Sequence, residues 1–478
     1  MSASFPPTTP PDLPATLGEL RASGWESLPI HEELRRNAAA RIAAGLPLVE
    51  RVLGFEDTVL PQIENALLAG HDIILLGERG QAKTRIVRSL TSLLDEWLPE
   101  IAGSEIRDDP YNPVSRPARD LVAREGDRTP LHWVHRDTRF SEKLATPDTS
   151  ISDLIGEVDP IKVAEGRYLS DELTLHYGLV PRSNRGIFAV NELPDLAERI
   201  QVGLLNVLEE RDVQIRGFTV RLPLDVVLVA TANPEDYTNR GRIITPLKDR
   251  FGAQIRTHYP PDTATELEII HQEARPPVDA PGSPTVEVPA FMAEVVAELS
   301  QLARQSPHVN QRSGVSVRLS ISNYETMSAN AVRRSLRLGE SQAVPRVSDL
   351  GALISSTQGK IEIESLEEGR EDRILNGLVS AAVLTVFRRR CPTEELGPIV
   401  AAFDDARVIH AGDDLPATAY SDILTQVPSL QAPVLALAGS ETPAAVASAI
   451  EFILEGLHLT KRLNKEAAGA KATYRGRG

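Results

Sequence analysis

Among 478 residues there is a single cysteine, Cys391, no apolar run approaching the ~18 residues that cross a bilayer, and no surplus of basic charge. One cysteine excludes an internal disulfide and any Cys-rich zinc site, which suits a reducing cytoplasm; Cys391 itself reads as a buried apolar filler. The lack of a long apolar run argues against membrane insertion. The N-terminus has prolines where a signal peptide has its apolar core, so no secretory leader is expected. With 51 Lys and Arg against 67 Asp and Glu, the net charge of −16 disfavours broad binding to polyanions, whether nucleic acid or anionic membrane. The length predicts two or three domains.

What is present is a phosphate-binding loop. Gly77-Glu78-Arg79-Gly80-Gln81-Ala82-Lys83-Thr84 follows the apolar run Asp72-Ile73-Ile74-Leu75-Leu76 and precedes the helical spacing Ile86, Val87, Leu90, Leu93, Leu94. A strand that aims such a loop lets successive backbone N–H groups cradle a β-phosphate, and the next helix turns its positive dipole end toward the anion. Lys83 is placed to reach the β- and γ-phosphates of ATP, and Thr84 to hold Mg²⁺. The pattern calls for glycine at Ala82, where a positive φ would strain an alanine.

A second β/α region extends from Gly186 to Ala232. It contains two apolar strands of the parallel-sheet kind, over 187–190 and 226–230, with a helix at 196–209 and a hairpin over 213–221 between them. Helices are also expected at 32–44 and 58–69. Residues 276–289, with five prolines, read as a linker or long loop. Beyond it, helical spacing recurs at 291–302, 320–336, 374–388 and 442–463. The expected organisation is a disordered leader (1–16), an α/β nucleotide-binding core (17–262), a helical lid (263–392), a mostly helical C-terminal region (393–464) and a basic disordered tail (465–478).

Hydrolysis needs more than a loop: a metal partner, a group that polarises water, and charge to stabilise the γ-phosphoryl transition state. The strand 187–190 delivers Asn191-Glu192 at its C-terminal edge, where ligands sit in open α/β sheets. Glu192 is the candidate for polarising water. Asn191 stands where an aspartate usually assists Mg²⁺, so the site has one negative charge fewer than expected, with weaker metal affinity or slow turnover as the consequence. Thr231-Ala232-Asn233-Pro234 ends the next strand and offers Asn233 to position the water. Leu247-Lys248-Asp249-Arg250-Phe251 then presents Arg250 as an arginine finger, with Arg240 and Arg242 as rivals.

Loop, Asn-Glu strand, hairpin, Asn-Pro and Asp-Arg-Phe stand in the order seen in AAA+ ATPases, and the chain resembles their magnesium-chelatase I-subunit and MoxR branch. The Gly-x-x-Gly-x-Ala-Lys-Thr loop and Leu179-Val180-Pro181-Arg182-Ser183-Asn184-Arg185-Gly186-Ile187 carry the narrower likeness, over residues 45–330. The resemblance makes Ala82 a family variant and implies a P-loop AAA+ parallel-sheet core with a helical lid. It implies a homo-oligomeric ring, hexameric, with ATP at subunit interfaces and Arg250 acting in trans. It also implies an insert over 159–178, and Arg318, in Gly314-Val315-Ser316-Val317-Arg318, as a γ-phosphate contact.

Four activities compete for such an ATPase. It could be a MoxR-like chaperone that remodels or metal-loads a partner with a von Willebrand A domain on another chain. It could be the ATPase subunit of a magnesium chelatase acting on a porphyrin. It could be a scaffold that assembles on ATP and hydrolyses it poorly. An enhancer-binding transcription activator is disfavoured, since the sequence has no Gly-Ala-Phe-Thr-Gly-Ala loop. Asp148-Thr149-Ser150-Ile151-Ser152 matches a metal-adhesion pattern by letter but follows no apolar strand. His132, His135 and Asp137 lack a third clear metal ligand, and the arginine clusters 333–337 and 388–390 read as solvated helix faces.

Overall fold

Apolar runs without alternation mark strands covered on both faces, and three such runs form the middle of the first unit's sheet. The computed structural model describes residues 12–158, 174–209, 222–233, 242–277, 282–311, 314–363, 370–392, 396–403, 407–468 and 471–477. It divides into two units, Met1–His258 and Tyr259–Gly478. In the first, β1 (Ile73–Leu76), β2 (Phe140–Leu144), β3 (Gly186–Asn191), β4 (Val226–Ala232) and β5 (Ala253–Arg256) pair in parallel in the order β2-β3-β4-β1-β5.

Successive residues of the inner strands feed two different cores. Ile73, Leu75, Ile187, Ala189, Val227 and Val229 pack with α1 (Ile30–Ala43), α2 (Val59–Ala69) and α3 (Lys83–Ser89). Ile74, Leu76, Phe188, Val190, Leu228 and Ala230 pack on the other face with α4 (Glu198–Glu209) and α5 (Thr245–Arg250). The strand β2, Phe-Ser-Glu-Lys-Leu, is only half-buried, since among the described residues it pairs on one flank alone. A buried ion pair anchors its start, with Arg139 Nη2 2.6 Å from Glu33 Oε2 on α1 and Arg139 Nε donating to the Arg185 carbonyl at 2.9 Å.

The second unit is mostly helical, built on α6 (Thr263–Glu273), α7 (Ala290–Gln305), α8 (Arg318–Leu338), α9 (Arg370–Arg390) and α10 (Pro443–Leu459). A small antiparallel sheet, β6 (Val408–Gly412), β7 (Asn464–Ala468) and β8 (Lys471–Arg475), adds to it in the order β6-β8-β7. Among the described residues no single helix is long and apolar enough to cross a membrane.

One expectation about organisation, the disorder of the tail, is overturned by the structure. The basic tail is ordered over β7 and β8, because Tyr474 is buried and donates its hydroxyl to Glu455 Oε2 at 2.6 Å, while Lys465 Nζ pairs with the same oxygen at 2.7 Å. The mostly helical region beyond 393 shares a core with the preceding helices, as Phe452 of α10 packs 4.7 Å from Phe291 and 6.0 Å from Phe387 by ring centroids. Within the stretch 276–289, Thr285–Val286 pairs in parallel with Gln342–Ala343. The leader through residue 11 lies outside the described residues.

Candidate functional site

The loop leaves β1 between its two neighbours: Gly77 N donates to the Ala232 carbonyl of β4 at 3.0 Å, and Thr257 N, just after β5, donates to the Leu76 carbonyl at 2.8 Å. Thr257 Oγ1 in turn donates to Gln81 Oε1 at 2.7 Å, and that oxygen also accepts from Glu78 N at 3.0 Å. The crowding explains Gly77, since a Cβ there would come within 1.9 Å of Thr257 Oγ1 and 2.3 Å of Gln81 Oε1. Gly80 has φ +78°, a region open to glycine. Ala82 adopts φ 55° and ψ 9°, left-handed as the glycine of the pattern would be, directly before α3. Lys83 is buried, and its ammonium donates to the carbonyls of Gly77 and, at 2.8 Å, Glu78.

At the end of β3, Asn191 and Glu192 are half-buried, and Glu192 is a second left-handed residue, at φ 55° and ψ 50°. Thr231 of β4 ties both: its Oγ1 donates to Asn191 Oδ1 at 3.3 Å and accepts from Glu192 N at 3.1 Å. Asn191 Nδ2 donates to Glu142 Oε1 on β2. Asn233 is buried immediately after β4. Because the sheet is parallel, the loop, Asn191-Glu192 and Asn233 all emerge at the same edge, from β1, β3 and the strand between them. Held strain at two of its residues is typical of a site whose surroundings fix its geometry.

The family described as "Sigma-54 interaction domain" matches residues 164–250, less than half of the chain. The "Magnesium-chelatase 38 kDa subunit" of Rhodobacter capsulatus is 29% identical over 234 residues, 46% of this chain and 59% of that protein. The subunit of the same name from Cereibacter sphaeroides is 30% identical over 210 residues, covering 41% and 54%. The "Magnesium-chelatase subunit ChlI" of Anabaena variabilis is 27% identical over 212 residues, covering 42% and 57%. The chain has the α/β AAA+ fold and is related to magnesium chelatase I subunits. It spans a little over half the length of the relatives it matches.

Within the AAA+ core, Arg250 is exposed at the end of α5 and three residues before β5 begins. It therefore lies toward the N-terminal edge of the parallel sheet, away from the edge that carries the loop of its own chain. Arg242 is exposed too, and its carbonyl accepts from the Gln201 amide at 3.0 Å. Arg240 and the hairpin 213–221 lie outside the described residues, as do residues 159–173 of the expected insert, whose flanks Gly156–Val158 and Leu175–Tyr177 pair antiparallel. Arg318 belongs to the second unit, where it is exposed at the start of α8.

Several other features of the sequence have structural duties. Ser150 caps a short helix, accepting from Asp153 N at 3.1 Å, which accounts for the adhesion-like letters. His132 Nδ1 lies 3.0 Å from Glu100, and His135 Nδ1 3.3 Å from Asp137. Motif reading missed Thr231, Thr257 and Glu142. Thr231 carries a usable signal, a hydroxyl residue at the C-terminal end of an apolar strand, whereas Thr257 follows a strand of mixed polarity. Glu142 carries none.

Proposed function

We propose that this chain is an ATP-hydrolysing AAA+ motor that works as a homo-oligomeric ring, hexameric by the MoxR and chelatase pattern. It couples ATP binding and hydrolysis to remodelling or metal loading of a partner protein that carries a von Willebrand A domain on a separate chain. The observation that carries the reading is the convergence of loop, Asn191-Glu192 and Asn233 at one sheet edge.

In this reading the loop amides and the N-terminal end of α3 hold the phosphates. The Lys83 ammonium, a compact point charge, exchanges loop carbonyls for phosphate oxygens. The oxygen donors of Thr84 and Asn191 suit Mg²⁺, a hard cation that retains most of its water and, when bound, offsets phosphate charge. Glu192 orients and polarises the attacking water, and Asn233 fixes the water's second contact. Arg250 reaches the γ-phosphate of the neighbouring subunit, a role supported by its position toward the opposite edge of its own sheet. Arg318 supplies a further γ-phosphate contact from the second unit.

The relatives support a second reading, in which the chain is the ATPase subunit of a magnesium chelatase acting on a porphyrin. The missing charge at Asn191 favours a third, an ATP-dependent scaffold with weak hydrolysis. Affinity capture with the Glu192→Gln chain and ATP separates the first two: a von Willebrand A protein supports remodelling, and a porphyrin-binding chelatase subunit overturns it. ATP turnover of the unaltered chain near background supports the scaffold.

A further inference from the structure

Asn191 looks like a lost charge only while β3 is considered alone. Its amide is oriented from both sides, with Oδ1 accepting from Thr231 Oγ1 at 3.3 Å and Nδ2 donating to Glu142 Oε1. The other oxygen of that carboxylate accepts from Arg88 Nε at 2.7 Å. Glu142 thus has one oxygen on Asn191 and the other on Arg88 of α3.

The placement is directional. On β2, residues 140, 142 and 144 share a face, and Phe140 packs against the core that contains Ile187 and Ala189 of β3. Asn191 follows the same alternation, so it and Glu142 point to the α3 side of the sheet. On α3, Thr84 and Arg88 are four residues apart and share a helix face. Thr84 and Arg88 of α3, Glu142 in the middle of β2 and Asn191 at the end of β3 therefore lie on one side of the sheet. The Glu142 side chain is 20% exposed, so its charge is screened less than that of Arg88, at 53%.

We infer that Glu142 supplies the negative charge that position 191 lacks, acting on the Mg²⁺ site through the Asn191 amide as a positioning residue. The charge has moved one strand sideways, and the amide is what makes the move compatible with the fold. An ionised aspartate at 191 has no proton to donate to Glu142, and it would set two like charges against each other. Asn191 and Glu142 are thus a matched pair. This inference rests on the ATP-site reading above and adds to it where the metal's charge partner lies.

The test uses the full chain, a fluorescent ATP analogue, and Mg²⁺ added from zero after EDTA. Four proteins are compared: the natural chain, E142Q, N191D, and the double exchange N191D/E142Q. In EDTA the natural chain and E142Q should bind the analogue alike, which checks the ATP site and the fold together. The Mg²⁺ concentration at half-effect should rise about tenfold in E142Q, the scale of lost second-sphere partners. It should return toward the natural value in the double exchange, where amide and carboxylate have traded places. N191D alone should not tighten Mg²⁺. An unchanged midpoint in E142Q, or a tighter one in N191D alone, overturns the inference and leaves the ATP site standing. Loss of analogue binding in EDTA by E142Q alone would make Glu142 a structural clamp on Arg88 and also overturn it. Absence of binding by the natural chain would remove the ATP-site reading itself.

Discussion

A left-handed alanine costs about 1–2 kcal/mol against the right-handed region, and Ala82 sits in that conformation at the entrance to α3. Glycine would relieve the strain while adding freedom to the unfolded chain, an opposing effect of roughly 0.5–1 kcal/mol. Ala82→Gly is therefore expected to stabilise the first unit by up to about 1 kcal/mol, read as a shift in the urea midpoint. Destabilisation would contradict the φ assigned to Ala82. Gly77→Ala should do the reverse and loosen nucleotide binding, because its methyl group meets Thr257 and Gln81. At this scale the loop and the Asn-Glu pair were legible, since each answers to a chemical requirement at fixed spacing. Thr257 and Glu142 were not, because their roles arise only when strands distant in sequence lie side by side.

The inner strands could be recognised from sequence because burial on both faces demands unbroken apolar runs, as in Ile73–Leu76 and Val226–Ala232. The edge strands were missed for the same physical reason. Phe140–Leu144 and Ala253–Arg256 are half-covered and therefore mixed in polarity, which reads as loop, and Glu142 was hidden with the first of them. What secures β2 is the buried pair of Arg139 with Glu33, 0% and 3% exposed at their side chains. Arg139→Ala would strand the Glu33 carboxylate, with an expected loss of about 3–5 kcal/mol in chemical denaturation. A loss below about 1 kcal/mol would mean the pair is not buried as described. The C-terminal strands were misread because their Gly, Ala and Lys content suggested disorder, while one inward Tyr474 is enough to dock them. Tyr474→Ala should lower the stability of the second unit by about 3–5 kcal/mol, the usual cost of removing a buried aromatic ring.

At the scale of the whole molecule, the parallel order β2-β3-β4-β1-β5 sets the loop at one edge of the sheet and Arg250 toward the other, so the proposed use of both in one active site would call for two chains. Lys83→Ala and Arg250→Ala chains, each inactive alone, should regain turnover when mixed, because a mixed interface joins an intact loop to an intact arginine. No recovery would contradict action in trans. In the proposed function ATP is bound by the loop and cleaved with the help of Glu192. The most direct measurement is steady-state ATP turnover beside ATP binding for the natural, Glu192→Gln and Lys83→Ala chains. Glu192→Gln should bind ATP normally while losing at least about a hundredfold in turnover, and Lys83→Ala should lose binding as well. Turnover that survives Glu192→Gln unchanged would contradict the account.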